Sequence, residues 1–169
     1  MLKNTTKRLS RAGVIAGLYV VLALITMPVA SGAIQFRASE FLTLLPLFYI
    51  EAVPALFLGC MVSNFITGCI LPDVLLGSLV TLTSALLTFI IGKIIKQRTV
   101  KIILGGMFPI LLNAFLLPLI WLFYGAGQYL YILQVLFLFI SQSVVIYLLG
   151  SPVCIVIERL RNRKIAFFE

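Results

Sequence analysis

Residues 41–71 read FLTLLPLFYIEAVPALFLGCMVSNFITGCIL. The stretch is apolar throughout, yet it holds Glu51, Pro46 and Pro54. A single long helix would have to carry a carboxylate and two prolines at membrane depth, where a charge is expensive. The charges on either side decide the reading. Lys3, Lys7, Arg8 and Arg11 precede the stretch, and Lys93, Lys96, Arg98 and Lys101 follow it. Basic clusters beside apolar spans mark the cytoplasmic side, so an even number of crossings separates these two. The runs 12–30 and 74–92 supply two crossings, so residues 41–71 supply two more or none. The expectation is two short helices, 40–50 and 53–68, meeting near Glu51 on the cytoplasmic side. The alternative is a re-entrant pair that enters and returns without crossing. Short, proline-interrupted segments of this kind are found where membrane proteins line a cavity.

The rest of the chain agrees with a membrane setting. Of its 169 residues, 62% are hydrophobic and 11% charged, and mean hydropathy is +1.19. Soluble domains have about 25% charged residues, so this chain lacks the polar side chains to cover a water-facing surface. The net charge of +8 would suggest nucleic acid in a soluble protein. Here all the basic residues but Arg37 sit in three clusters, the third being Arg159, Arg161, Arg163 and Lys164, and no basic run is interleaved with base-stacking aromatics in a polar segment. No nucleic-acid partner is expected. The flanks of the first run imitate a signal peptide, but the run is longer than the roughly 7–15 apolar residues of a cleaved signal and reads as a retained helix. Further helices are expected at 73–96, 102–124 and 129–161, the last two separated by the turn signal Gly125-Ala126-Gly127. The fold class is thus an all-α membrane protein, one domain over 1–169, with six transmembrane helices in a multi-pass bundle in the cell membrane and both termini cytoplasmic.

Polar residues gather towards the expected outer side. Gln35 and Arg37 lie in the first outer loop, Glu40 at the mouth of the second helix, Asn64 near the outer end of the third, and Asp73 at the start of the fourth. Asn113 and Gln142 lie deeper, and Gln128 falls in the last outer loop. Polar side chains within the hydrocarbon usually face the bundle interior or a water-filled cavity. Blander roles exist for each: an Arg37–Glu40 pair capping its helix, interhelical hydrogen bonds for Asn113 and Gln142, and an aromatic belt for Trp121, Tyr124, Tyr129 and Tyr131. Against them stands the asymmetry between an outer half rich in carboxylates and amides and an inner half of cations. Such a pocket suits a small ligand rich in hydrogen-bond donors.

Helix 1 also repeats small residues, with Ala12 and Ala16 four apart and Gly13 and Gly17 beside them. Such a face lets another helix approach closely, either within the bundle or from a partner. The chain has no His, and Cys60, Cys69 and Cys154 lack metal-ligand or CxxC spacing. No Gly-x-Ser-x-Gly, phosphate loop or metal-ligand cluster occurs. No enzymatic activity, metal or cofactor is expected, and energy for transport must come from a partner or an ion gradient.

The segments Ile34-Gln35-Phe36-Arg37-Ala38-Ser39-Glu40, Leu44-Leu45-Pro46-Leu47 and Glu51-Ala52-Val53-Pro54-Ala55-Leu56-Phe57-Leu58-Gly59-Cys60, with Asn64, Asp73 and Gly77-Ser78-Leu79, resemble the QueT family. That family comprises the substrate-binding S components of energy-coupling factor (ECF) ABC-type importers of queuosine precursors. The resemblance implies a six-helix bundle with an outward-facing pocket for a deazaguanine-type molecule. It implies ligand roles for Glu40 first and Asp73 next, with Asn64, Gln35, Arg37, Asn113 and Gln142 around them. It implies further that Ala12 and Ala16 dock on a transmembrane coupling protein, which two ATPase subunits drive, all within membrane lipid. The chain departs from the family pattern at Ile120 and Gln142, where many relatives carry Glu. The competing reading is a stand-alone secondary transporter of a small polar or vitamin-like molecule, with Glu40 or Asp73 coupling protons; an intramembrane scaffold without a ligand is a third.

Overall fold

In a computed structural model, residues 2–30, 35–127 and 129–163 are described, and among them every regular element is helical. Helix α1 (Leu2–Ala30) is followed by a 3-10 helix (Ala38–Leu47), α2 (Ala52–Ile66), a π-turn (Asp73–Gly77) that opens α3 (Ser78–Ile94), and α4 (Arg98–Phe123). A second π-turn (Val144–Leu149) joins α5 (Tyr131–Ser143) to α6 (Gly150–Asn162) in one rod. Gln128 and residues 31–34 lie outside the described residues.

Four rods are long and apolar enough to cross a membrane: Thr5–Val29, Asp73–Ile94, Arg98–Phe123 and Tyr131–Arg161. The chain is therefore a multi-pass membrane protein, and the large apolar side chains on the outer faces of its rods, such as Val21, Ile90, Ile103 and Phe139, suit a lipid surround. The two segments expected at 40–50 and 53–68 are shorter. At about 2.0 Å per residue a ten-residue 3-10 helix reaches roughly 20 Å, and at 1.5 Å per residue the fifteen-residue α2 reaches roughly 22 Å. Neither matches a hydrocarbon thickness of about 30 Å.

The 3-10 helix is the centre of the molecule. Nine of its ten residues are buried, and α1, α2, α3, α4, α6 and the second π-turn all pack against it. Its geometry follows from the leucine spacing. In a 3-10 helix, side chains at i and i+3 eclipse. Leu42 and Leu45 therefore face one core cluster, with Ile15 and Tyr19 of α1 and Leu56 of α2. Leu44 and Leu47 face a second, with Ile102 and Ile110 of α4, Ile146 and Cys154. Glycines let the surrounding rods close on this axis. A Cβ on Gly92 of α3 would lie 2.6 Å from the Leu47 carbonyl oxygen, and one on Gly150 would lie 2.8 Å from Leu44 Cδ1.

The chain runs up and down between two ends. At one end the three basic clusters converge on the turn after the 3-10 helix. The Arg11 guanidinium lies 4.6 Å from the Tyr49 ring centroid, Lys101 Nζ lies 5.0 Å from that of Phe48, and Arg161 lies 6.0 Å from Phe48. Arg11, only 6% exposed, also pairs with Glu51 through Nε and Oε1 at 2.9 Å. The charge that made residues 41–71 hard to read is thus paired at the turn between two short helices. At the opposite end the rods splay around a cavity.

Candidate functional site

The cavity has a volume of about 340 Å³, within the roughly 300–1,000 Å³ of small-molecule sites. Its walls come from every rod that reaches this end: Tyr19 and Met27 of α1, Asn64 of α2, Asp73 of the first π-turn, Trp121 of α4 and Gln134 of α5, with Gln35, Arg37 and Ser39 ahead of or within the 3-10 helix. Beneath it lies a chamber of about 10 Å³, walled by Glu40, Cys60, Thr81, Asn113 and Gln142 and sharing Gln35, Arg37, Asn64 and Asp73 with the cavity. The seven polar residues expected to meet a ligand thus all border these two spaces.

Their contacts differ from the simplest expectations. Arg37 does not pair with Glu40 across one turn. It reaches α2, where Nη1 donates to Asn64 Oδ1 at 3.1 Å. Asn64 Nδ2 in turn donates to the Asp73 carbonyl at 3.4 Å, so one amide ties the 3-10 helix entrance to the head of α3. Burial acts against the Arg37 charge, but the neighbouring Asp73 carboxylate acts for it, and the net shift of its pKa is upward. Gln35 adopts a left-handed backbone (φ 43°), uncommon for a residue with a Cβ, and its carbonyl accepts from Ser141 Oγ at 3.3 Å.

Glu40 is not the cavity's open carboxylate. It is 3% exposed and sits against the lower chamber. Its Oε1 accepts from the Tyr19 hydroxyl at 2.6 Å and its Oε2 from Asn113 Nδ2 at 3.1 Å. The carboxylate that faces the main cavity is Asp73. Two buried oxygens at the chamber, Asn113 Oδ1 and Gln142 Oε1, have no hydrogen-bond partner among the described residues. Because an ionised carboxylate only accepts, Asn113 must turn its NH₂ towards Glu40, which leaves its carbonyl unpaired.

Sequence reasoning missed Tyr19, Ser63, Thr67 and Gln134, all in the cavity wall. Tyr19 had a signal: Arg11, Ile15 and Tyr19 recur four apart, and all three are buried on one face of α1. Trp121 was expected in an interfacial belt, but it is 8% exposed and lines the cavity. Ala12 and Ala16 lie towards the basic end of α1, half-buried against the first core cluster. Gly59 of α2 comes so close there that a Cβ on it would lie 3.2 Å from the Ala16 carbonyl oxygen. Beside them Gly13 and Gly17 are exposed, with no neighbouring atom within 4 Å of an added Cβ.

The structure is thus a multi-pass helical bundle with a polar cavity of ligand size at one end. The chain belongs to the QueT transporter family, whose model matches residues 9–159. That family transports and is not a family of enzymes. The chain is also similar to the Queuosine precursor transporter QueT of Lactococcus lactis subsp. cremoris (strain MG1363), at 36% identity over 84 residues, which cover 48% of this chain and 49% of that protein. The match thus spans about half the length of that relative. No solved structure matches the chain significantly.

Proposed function

We propose that this protein is the substrate-binding membrane subunit of an ATP-driven importer of the energy-coupling factor type, and that it takes up a queuosine precursor. The observation that carries the reading is the 340 Å³ cavity, placed at the end opposite the basic clusters. With those clusters cytoplasmic, the cavity opens outside, as an uptake site requires. A deazaguanine presents a carbonyl acceptor beside ring N–H and amine donors. Asp73 accepts two such donors together, Asn64 and Gln35 offer both kinds of atom, Arg37 donates to the carbonyl, and Trp121 provides a stacking face. The sequence carries no nucleotide-binding motif, so ATP hydrolysis falls to two partner ATPases acting through a transmembrane coupling protein. That protein meets α1, the least buried of the four long rods, along the exposed Gly13 and Gly17 stripe and the adjoining Ala12 and Ala16.

The test is uptake of a labelled deazaguanine by cells lacking their own queuosine-precursor transporters. Import that requires co-expression of the coupling protein and both ATPases supports this reading. Import by the protein alone, abolished by collapsing the proton gradient, would instead establish the secondary transporter.

A further inference from the structure

We propose that the chamber beneath the cavity is a subsite for a primary ammonium group, so that the favoured ligand is a deazaguanine bearing an aminomethyl arm. This rests on the ligand class proposed above and deepens it. Two independent observations support it. The first is charge. Among the described residues, the charged groups that wall the cavity and chamber are the carboxylates of Glu40 and Asp73 and one guanidinium, Arg37. With both carboxylates ionised, one negative charge has no partner among the described residues, at a site where Glu40 and Asp73 are 3% and 5% exposed. Buried charges are normally paired, and the Arg11–Glu51 pair shows this chain doing so at its other end.

The second observation is the set of acceptors. Asn113 Oδ1 and Gln142 Oε1 are buried without partners among the described residues, in side chains 3% and 2% exposed. With the Glu40 carboxylate they make three acceptors around a space of about 10 Å³, close to the volume one water occupies by this measure. An ammonium carries three N–H donors and one positive charge in a group of that size, and so satisfies both deficits at once. A nitrile arm offers only an acceptor to these oxygens. An arm extended by a ring is too large for the chamber. The base then stays in the upper cavity against Asp73 and Trp121, with its arm passing Arg37 and Asn64 at the shared wall.

Trp121 is the only tryptophan and lines the cavity, so its fluorescence reports binding to the purified protein in detergent. The probes are 7-aminomethyl-7-deazaguanine and 7-cyano-7-deazaguanine. The parent is expected to bind the aminomethyl compound at least about tenfold more tightly, as hydrogen bonds to a charged group imply. Glu40→Gln should erase most of that preference, weakening the aminomethyl compound by at least about tenfold more than the cyano compound. Gln142→Leu, which removes a buried oxygen without a partner among the described residues, should narrow the preference in the same direction and guards against a folding defect at Glu40. Equal binding of the two probes by the parent overturns the proposal while leaving the deazaguanine reading intact. So does an equal loss of both in the two variants, or an affinity that follows sodium concentration instead of the arm. Binding of neither probe overturns the underlying reading as well.

Discussion

The central 3-10 helix has a buried charge cluster at each end, and the two are resolved differently. Past its last residue, Arg11 and Glu51 meet at 2.9 Å with the guanidinium over Tyr49. There the guanidinium and the carboxylate meet directly. Around its first turn, Glu40 and Asp73 outnumber Arg37, carbonyl oxygens stand unpaired, and a cavity remains. A directly paired cluster positions helices. An open, unbalanced one in the same protein is what the proposed ligand site requires. The basic end should therefore govern stability, and the cavity end should govern binding.

The largest expected effect lies at the basic end. Arg11→Ala leaves Glu51 buried without its partner, and breaking a buried pair in this way costs about 3–5 kcal/mol. Thermal melts of the purified variant should show a large loss, while the fraction that remains folded binds ligand like the parent. Arg11→Met combined with Glu51→Leu should recover much of the stability, because an apolar pair carries no desolvation cost. A strong loss of ligand affinity in Arg11→Ala would show that the two ends are coupled and that the division proposed here is wrong.

The next effect sharpens the contrast in packing. At Gly92 a Cβ would meet Leu47 backbone, with its carbonyl oxygen at 2.6 Å and Cα at 2.8 Å. Backbone in a buried helix has no room to retreat, so Gly92→Ala should destabilise by about 1–3 kcal/mol, as overpacking does. Gly13→Ala, on the exposed face of α1, is the control and should stay within about 0.5 kcal/mol. Similar melting temperatures for the two would mean that the 3-10 helix is not gripped by its neighbours.

How far the sequence carried these conclusions depended on which physics each feature uses. The four long rods were legible because length and hydropathy alone decide them, and the turn at Glu51 because a lone carboxylate between two prolines has few other places to go. The 3-10 geometry was not, although Leu42/Leu45 and Leu44/Leu47 repeat every three residues. In a segment apolar throughout, that period is hidden by the leucines between. The candidate residues were located by sparsity, since so few polar side chains occur in this chain. Their roles were not, because roles depend on partners distant in sequence. Glu40 looked like the open carboxylate until Tyr19 and Asn113, 21 and 73 residues away, were seen to hold it. Arg37 looked like the neighbour of Glu40, but its partner is Asn64, 27 residues on.

The smallest expected effect falls at the cavity end, on a glycine that is crowded in another way. A Cβ on Gly77 would lie 3.1 Å from Asp73 Oδ1, 3.5 Å from Leu117 Cδ2 and 3.7 Å from Asn64 Nδ2. Unlike the Leu47 backbone at Gly92, these are the ends of side chains, and one borders an open cavity. A shift of a few tenths of an ångström in Asp73 relieves the contact at little cost, so Gly77→Ala should change stability by less than about 0.5 kcal/mol. The atoms that move are those proposed to meet the ligand, so its affinity should fall by about threefold while the melting temperature stays near that of the parent. Melting and Trp121 fluorescence titration on one preparation separate the two readouts. A variant that melts far lower with unchanged affinity would place a rigid, structural contact at Asp73, and the carboxylate that faces the cavity would then be part of the scaffold.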